Sequence, residues 1–212
     1  MSDPDYLAPY RRAVERYGAG FHATLWGSPE TQALRFEVIR RHARLDDTMI
    51  ADLGCGPGDL ATWLREQEVS YRGFLGLDAM ESQIEAATAR AIPDATFEVV
   101  DLLRDDLRLA ERGIDWAILS GTLNTMTDEE AFGLIEQAFN SVTVGVAFNF
   151  LGDRPHRRWA DRELGPARRF STAGWLDWAM ARTSRVVLDQ QYLDGHDVTI
   201  VMVREDAGAD TG

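Results

Sequence analysis

The stretch Met49-Ile50-Ala51-Asp52-Leu53-Gly54-Cys55-Gly56-Pro57-Gly58-Asp59-Leu60 decides the fold. A short apolar run, as in a buried strand, passes into three glycines at alternate positions and then into a helical pattern. Such a backbone can turn tightly and come into close contact with a ligand, and a nucleotide-like ligand is implied. The dinucleotide fingerprint spaces its glycines G-x-G-x-x-G and aims the helix N-terminus at a pyrophosphate. Here Gly58 comes one residue early, Asp59 stands where that pattern has glycine, and Asp52 lies two residues before Gly54. Negative charge there opposes a pyrophosphate, so the loop suits a ligand with a positive centre.

Outward from this loop, short apolar runs alternate with amphipathic stretches, the pattern of a parallel sheet wrapped by helices. Strands are expected at 49–53, 72–77, 96–100, 114–119 and 142–150, with helices at about 59–67, 80–90 and 128–140. Pro93 closes the second of these helices, and 102–112 holds at most a short helical turn. Upstream, Tyr6 to Tyr17 and Pro29 to Leu45 are helical in pattern, the second with Ser28 as cap and Pro29 at its first position. Between them, Gly18 to Gly27 is too rich in glycine and aromatic residues for a helix interior and reads as a lid or packing strap. Downstream come an arginine-rich segment, a helix from Thr172 to Arg182, and two β-rich runs, Arg185 to Tyr192 and Val198 to Arg204. The turn signal between these runs, Leu193 to Asp197, makes them an antiparallel hairpin at one sheet edge.

The expected fold is therefore α/β and Rossmann-like. It is a doubly wound, mostly parallel seven-stranded sheet with a C-terminal antiparallel hairpin and two N-terminal helices. One domain is expected over 1–212, divided into a helical lid (1–47), a cofactor-binding core (48–150), an acceptor loop with the hairpin (151–204) and a frayed tail (205–212).

With its acidic-x-G-x-G-x-G loop, the sequence resembles the class I S-adenosylmethionine-dependent methyltransferases. Further motifs follow in order. Leu75-Gly76-Leu77-Asp78 ends the second strand, Phe97-Glu98-Val99-Val100-Asp101-Leu102 the third, and Asp115-Trp116-Ala117-Ile118-Leu119-Ser120-Gly121 the fourth. The resemblance implies S-adenosylmethionine as cofactor, held by Asp52, Gly54, Cys55, Gly56, Gly58 and Asp59 in the loop. It also implies that Asp78, followed by Ala79, grips both ribose hydroxyls, a task that suits the two oxygens of a carboxylate. Asp101 and the backbone of Leu102 would read the adenine, and Ser120 would face the methionine part. Cys55 is expected to be a packed residue, not a nucleophile. Trp26, Gln32, Arg35 and Phe36, with Phe148-Asn149-Phe150-Leu151, look like a group of small bacterial methyltransferases of small molecules. That likeness implies Trp26 and Arg35 over the cofactor, with Arg35 as partner of its carboxylate.

The chain has 212 residues, 45% of them hydrophobic and 27% charged, which suits a globular protein. Its 22 basic residues, all arginine, face 35 acidic ones, and the net charge of -13 argues against a nucleic-acid partner. No apolar run approaches the roughly 20 residues of a membrane span, the start lacks a basic-then-apolar leader, and Cys55 is the only cysteine, so a cytoplasmic protein without disulfides is expected. No metal site is expected, and exposed aromatic N-terminal helices leave room for a homodimer.

Arg154, Arg157, Arg158, Arg162, Arg168 and Arg169 cluster after the fifth strand, where the resemblance places an acceptor loop. Arg157, Arg158 and Arg168 are candidate ligands of a carboxylate or phosphonate acceptor, because a guanidinium fork binds such groups bidentately. A solvated helix balancing Asp153, Asp161 and Glu163 is the alternative. Should a proton have to leave the acceptor, His22 and His156 are candidate bases, and Asn124 could orient it. The expected activity is transfer of a methyl group from S-adenosylmethionine to a small molecule, at oxygen first and at nitrogen or carbon as alternatives. A nicotinamide-dependent oxidoreductase and a non-catalytic nucleotide-binding module are the rival classes.

Overall fold

The structure, a computed structural model, describes residues 5–207. Eight strands form one sheet: β1 (Met49–Leu53), β2 (Gly73–Asp78), β3 (Ala95–Val99), β4 (Trp116–Leu119), β5 (Gly145–Gly152), β6 (Arg169–Phe170), β7 (Arg185–Asp189) and β8 (Asp197–Val203). Their order is β3-β2-β1-β4-β5-β8-β7, with β6 paired to the end of β5. Strands β1 to β5 run parallel, while β8 lies antiparallel to both β5 and β7. The seven expected strands are all present. The eighth, β6, is two residues in the arginine-rich segment, too short to leave a periodic signal.

The helices are α1 (Ala8–Tyr17), α2 (Pro29–His42), α3 (Asp59–Glu66), α4 (Glu81–Ala89), α5 (Asp128–Ser141), α6 (Arg157–Ala160) and α7 (Thr172–Met180). Local chemistry sets several of their starts. Ser28 caps α2 by accepting from the Thr31 N–H, with Pro29 at the first position. Thr127 and Glu130 form a reciprocal capping box at α5. No helix forms in 102–112, where only turns carry the chain past the buried Leu107 and Leu109. Among the described residues no helix is long and apolar enough to cross a membrane.

Because helices cover both faces, the central strands are apolar on both sides. On one face Ile50, Phe74, Trp116, Ile118 and Val201 pack with Phe36 and Ile39 of α2 and Leu60 and Leu64 of α3. On the other, Leu53, Leu75, Leu119, Phe148 and Ile200 pack with Leu134 and Ile135 of α5 and Trp175 of α7. The order reverses between β1 and β4, and a crevice opens at such a switch point, outside the carboxyl ends of the strands.

Of the expected tail, Glu205 to Ala207 lie in a turn; the rest falls outside the described residues. Glu205 accepts from the Ser184 N–H at 2.7 Å, so this part is tied to the residues just before β7.

Candidate active site

The glycine loop forms the floor of the crevice. Gly54 has φ +87°, and a Cβ there would fall 2.6 Å from Thr122 Oγ1, so a side chain is excluded on two counts. Thr122 in turn donates to the Leu53 carbonyl at 2.6 Å, stitching the β4 loop to the end of β1. Asp78 accepts from the Gly56 N–H at 2.9 Å through one carboxylate oxygen and from Met80 N–H at 2.8 Å through the other. The acidic residue thus fixes the loop as well as facing the crevice. Each of its oxygens retains a lone pair for a further donor. Burial pushes its carboxyl above the usual range, while the two backbone hydrogen bonds pull it down.

The crevice offers about 780 Å³ of free space, part of it open to solvent. Its walls include Trp26, Asp52, Gly54, Cys55, Gly56, Asp59, Asp78, Ala79, Leu102 and Ser120, ten of the expected cofactor residues. Asp52 carries the largest electrostatic tension. Burial first, then the Asp78 and Asp59 carboxylates, push its pKa up to about 8, with no hydrogen bond offsetting them. Such a carboxyl is relieved by a cation. Burial pushes the Cys55 thiol well up too, as suits a packed residue.

The N-terminal segment closes over the crevice and is tethered on several sides. Gln83 clamps Gly20 through both main-chain groups, at 2.8 Å and 3.2 Å. Gln32 donates to Asp59 at 3.3 Å, and the Tyr6 hydroxyl donates to Asp101 at 2.8 Å. Within the expected strap, Phe21–Thr24 form a 3-10 turn that buries Ala23 and sets Thr24 in the wall. Opposite, the fully buried Asn149 accepts from the Gly121 N–H at 2.9 Å and donates to Ser120 Oγ at 3.0 Å, fixing the β4 loop.

Several expected residues lie elsewhere. Arg35 does not line the crevice: its guanidinium makes a bidentate pair with Asp197 at 2.6 and 2.8 Å and donates to the Thr31 carbonyl at 2.8 Å. The carboxylate it holds belongs to the protein. Asp101 stands behind Tyr6, which takes the place in the wall, and its carboxylate accepts from Tyr6 and the Leu103 N–H.

The arginines of the 154–169 segment do not converge. Arg157 is exposed, and Arg158 pairs with Asp194 at the surface. Arg168 donates to the Met126 carbonyl and to Asp128, and lies over the Phe170 ring. Arg169 reaches the Gly152 and Trp159 carbonyls at 2.8 and 2.9 Å. None of these four borders the crevice, so the grouping seen along the sequence is not a grouping in space. His22 is exposed beside Tyr17 and Phe21, and His156 is an exposed cap of α6 that accepts from the Arg158 N–H. Neither points to a proton-relay role at the crevice. Asn124 lines a cavity beside the crevice, where its side chain accepts from the Leu151 N–H at 3.2 Å and is turned to the Gly121 carbonyl.

Tyr6, Tyr10, Thr24, Gln83 and Thr122 line the crevice without having been singled out by the sequence. Asn149 carried a usable signal, a polar residue between buried aromatic ones in a strand. The others lack one, because their places follow from how α1 and the strap fold back.

Comparison with known proteins follows this geometry. Residues 50–145 match the model of the methyltransferase-domain family. No curated protein matches the chain. Among solved structures, magnesium protoporphyrin IX methyltransferase from Synechocystis PCC 6803 with bound SAM is similar at 16% identity and TM-score 0.63, covering 96% of this chain and 99% of that one. Phosphoethanolamine N-methyltransferase 1 of Haemonchus contortus is similar at 14% identity and TM-score 0.71, over 96% of this chain and 50% of its own. A DhpI–SAM–HEP complex is similar at 17% identity and TM-score 0.65, over 92% of this chain and 94% of its own. The segment that holds the glycine loop and Asp78 thus matches the methyltransferase-domain model, and nearly the whole chain shares the fold of these neighbours.

Proposed function

We propose that the protein methylates a small molecule at oxygen, with S-adenosylmethionine bound across the carboxyl ends of β1, β2 and β4. The observation that carries this reading is the pairing of Asp78 with the glycine loop beside the buried Asp52. In the bound state the cofactor supplies an electrophilic methyl group on a sulfonium. Asp78 offers its free lone pairs to the ribose hydroxyls, Leu102 flanks the adenine, and Asp52 faces the positive end. Ser120 and Gly121, fixed by Asn149, align the methionine part. Residues up to 47 act as a cover that excludes water, and alignment with water exclusion is the main contribution a protein makes to an in-line displacement.

Among the described residues no histidine lines the crevice, so a proton leaving the acceptor oxygen passes to solvent or to a carboxylate there, and an acceptor that is already an oxyanion needs neither. Arg157, Arg158 and Arg168, the candidate ligands of an anionic acceptor, do not border the crevice, and Arg158 and Arg168 are engaged by Asp194, Met126 and Asp128, which removes that support. The small-molecule substrates named for the magnesium protoporphyrin and phosphoethanolamine enzymes favour a small acceptor here.

Titration calorimetry tests the cofactor assignment. S-adenosylhomocysteine should bind with a stoichiometry of one, and a pyridine dinucleotide should give no heat. Saturation by the dinucleotide alone would overturn the assignment in favour of an oxidoreductase.

A further inference from the structure

A second cavity, about 510 Å³ of free space and partly open to solvent, adjoins the crevice and shares Tyr10, Thr24, Trp26 and Gly121 with it. Its far side is the loop Leu164–Ala167, in the segment that follows β5. No acid, arginine or histidine lines it. Its body is apolar, from Leu25, Trp26, Leu164, Pro166 and Ala167, and its polar atoms are hydroxyls and an amide.

Two of those hydroxyls sit together. Thr125 Oγ1 is buried and lies against the Tyr10 hydroxyl, its side-chain partner. One contact between two hydroxyls leaves further donor and acceptor capacity at the pair, which a hydroxyl of a ligand can take. Burial pushes the Tyr10 phenol up to about 12, which keeps it a neutral donor. The neighbouring crevice adds Asp78 and an Asp59 carboxylate that Arg90 already pairs at 2.8 Å, and the chain has a net charge of -13. A free carboxylate or phosphate would lose its hydration here and gain no cation from the protein.

The geometry points to this cavity as the acceptor site, shaped for an uncharged molecule with a flat apolar or aromatic body and a hydroxyl turned towards Tyr10 and Thr125. The inference deepens the methyltransferase reading and rests on it. Pro166 and Leu164 hold the body, Trp26 divides it from the cofactor, and the shared opening by Gly121 is where the hydroxyl meets the methyl group.

The test uses the full chain saturated with S-adenosylhomocysteine and two matched probes, 2-naphthol and 2-naphthoate, titrated at neutral pH. Naphthol should bind, and naphthoate at least tenfold more weakly. Ala167→Phe, which fills the cavity, should abolish naphthol binding while the homocysteine product binds as in the wild type. Thr125→Val keeps the volume, removes the hydroxyl and should weaken naphthol at least threefold. Naphthoate binding as tightly as naphthol, no naphthol binding to the wild-type complex, or undiminished naphthol binding in Ala167→Phe would each overturn the inference. Failure of S-adenosylhomocysteine itself to bind the wild type would overturn the cofactor reading instead.

Discussion

Asp197 of β8 and Arg35 of α2 form a bidentate ion pair at 2.6 and 2.8 Å, with side chains 1% and 6% exposed. The Arg35 guanidinium lies 4.3 Å from the centre of the Trp26 ring, and that ring packs against Gly121. One buried pair therefore holds the partition between the two cavities.

Removing one partner strands the other charge in a dry interior. Arg35→Met should cost about 3 to 5 kcal/mol of stability, while Arg35→Met with Asp197→Leu should recover most of it. Urea unfolding of both variants checks this, and a single-variant loss below about 1 kcal/mol would contradict it.

Asp78 fixes the glycine loop and faces the crevice. Asp78→Ala should weaken cofactor binding by about 1.5 to 3 kcal/mol, the scale of hydrogen bonds to a charged group. Calorimetric dissociation constants for wild type and variant decide it, and equal constants would remove Asp78 from the site.

Asp52 links binding to pH. Its carboxyl is raised to about 8, so below that pH the free protein holds the proton, whereas a bound cation favours the ionised form. Binding then releases a proton, and affinity for S-adenosylmethionine should rise with pH up to about 8, by as much as tenfold per unit. The same raised value makes Asp52 favour the folded state at low pH, a contribution lost as pH climbs from about 4 to about 8. Asp52→Asn should flatten both dependences. A buffer-independent binding heat, showing no proton release, would refute the linkage.

The exposed histidines lie away from the crevice, so His22→Ala and His156→Ala should each keep turnover within about twofold of wild type. The pH–rate profile should follow ionisation of the acceptor instead of an imidazole. A hundredfold fall in either variant would restore that histidine as a base.

Introducing a methyl group at Gly121 tests the partition directly. Its φ is +77°, and a Cβ would lie 2.3 Å from Trp26 Cζ2. Gly121→Ala should displace the indole, seen as a changed tryptophan fluorescence, and lower turnover at least tenfold. An unchanged spectrum with full turnover would show that the wall yields.

The core was legible because its signals are local. The bounds of β1 follow from its apolar run, and Asp52, Gly54, Gly56 and Asp78 fall in the crevice because each sits at a strand end. The acceptor side was not legible for the opposite reason. Of six arginines near one another in sequence, Arg158, Arg168 and Arg169 turn to different partners, Asp194, Asp128 and main-chain carbonyls, once β6 and α6 bend the segment. Arg35 was placed at the ligand because no pattern in the sequence joins it to Asp197, 162 residues away. His196 shows the same limit: it stacks 4.3 Å from Trp159, and burial with Arg169 close by drives its pKa down to about 4, a packing role.

The position of β8 has a consequence for biosynthesis. This strand lies between β5 and β7, yet it is made after both, so the ribosome releases five parallel strands with one flank still unpaired. Until residues 197–203 emerge, Arg35 lacks its counter-charge and α2 cannot settle. The wall that Trp26 forms between the two cavities is therefore completed only after residues 197–203 have emerged.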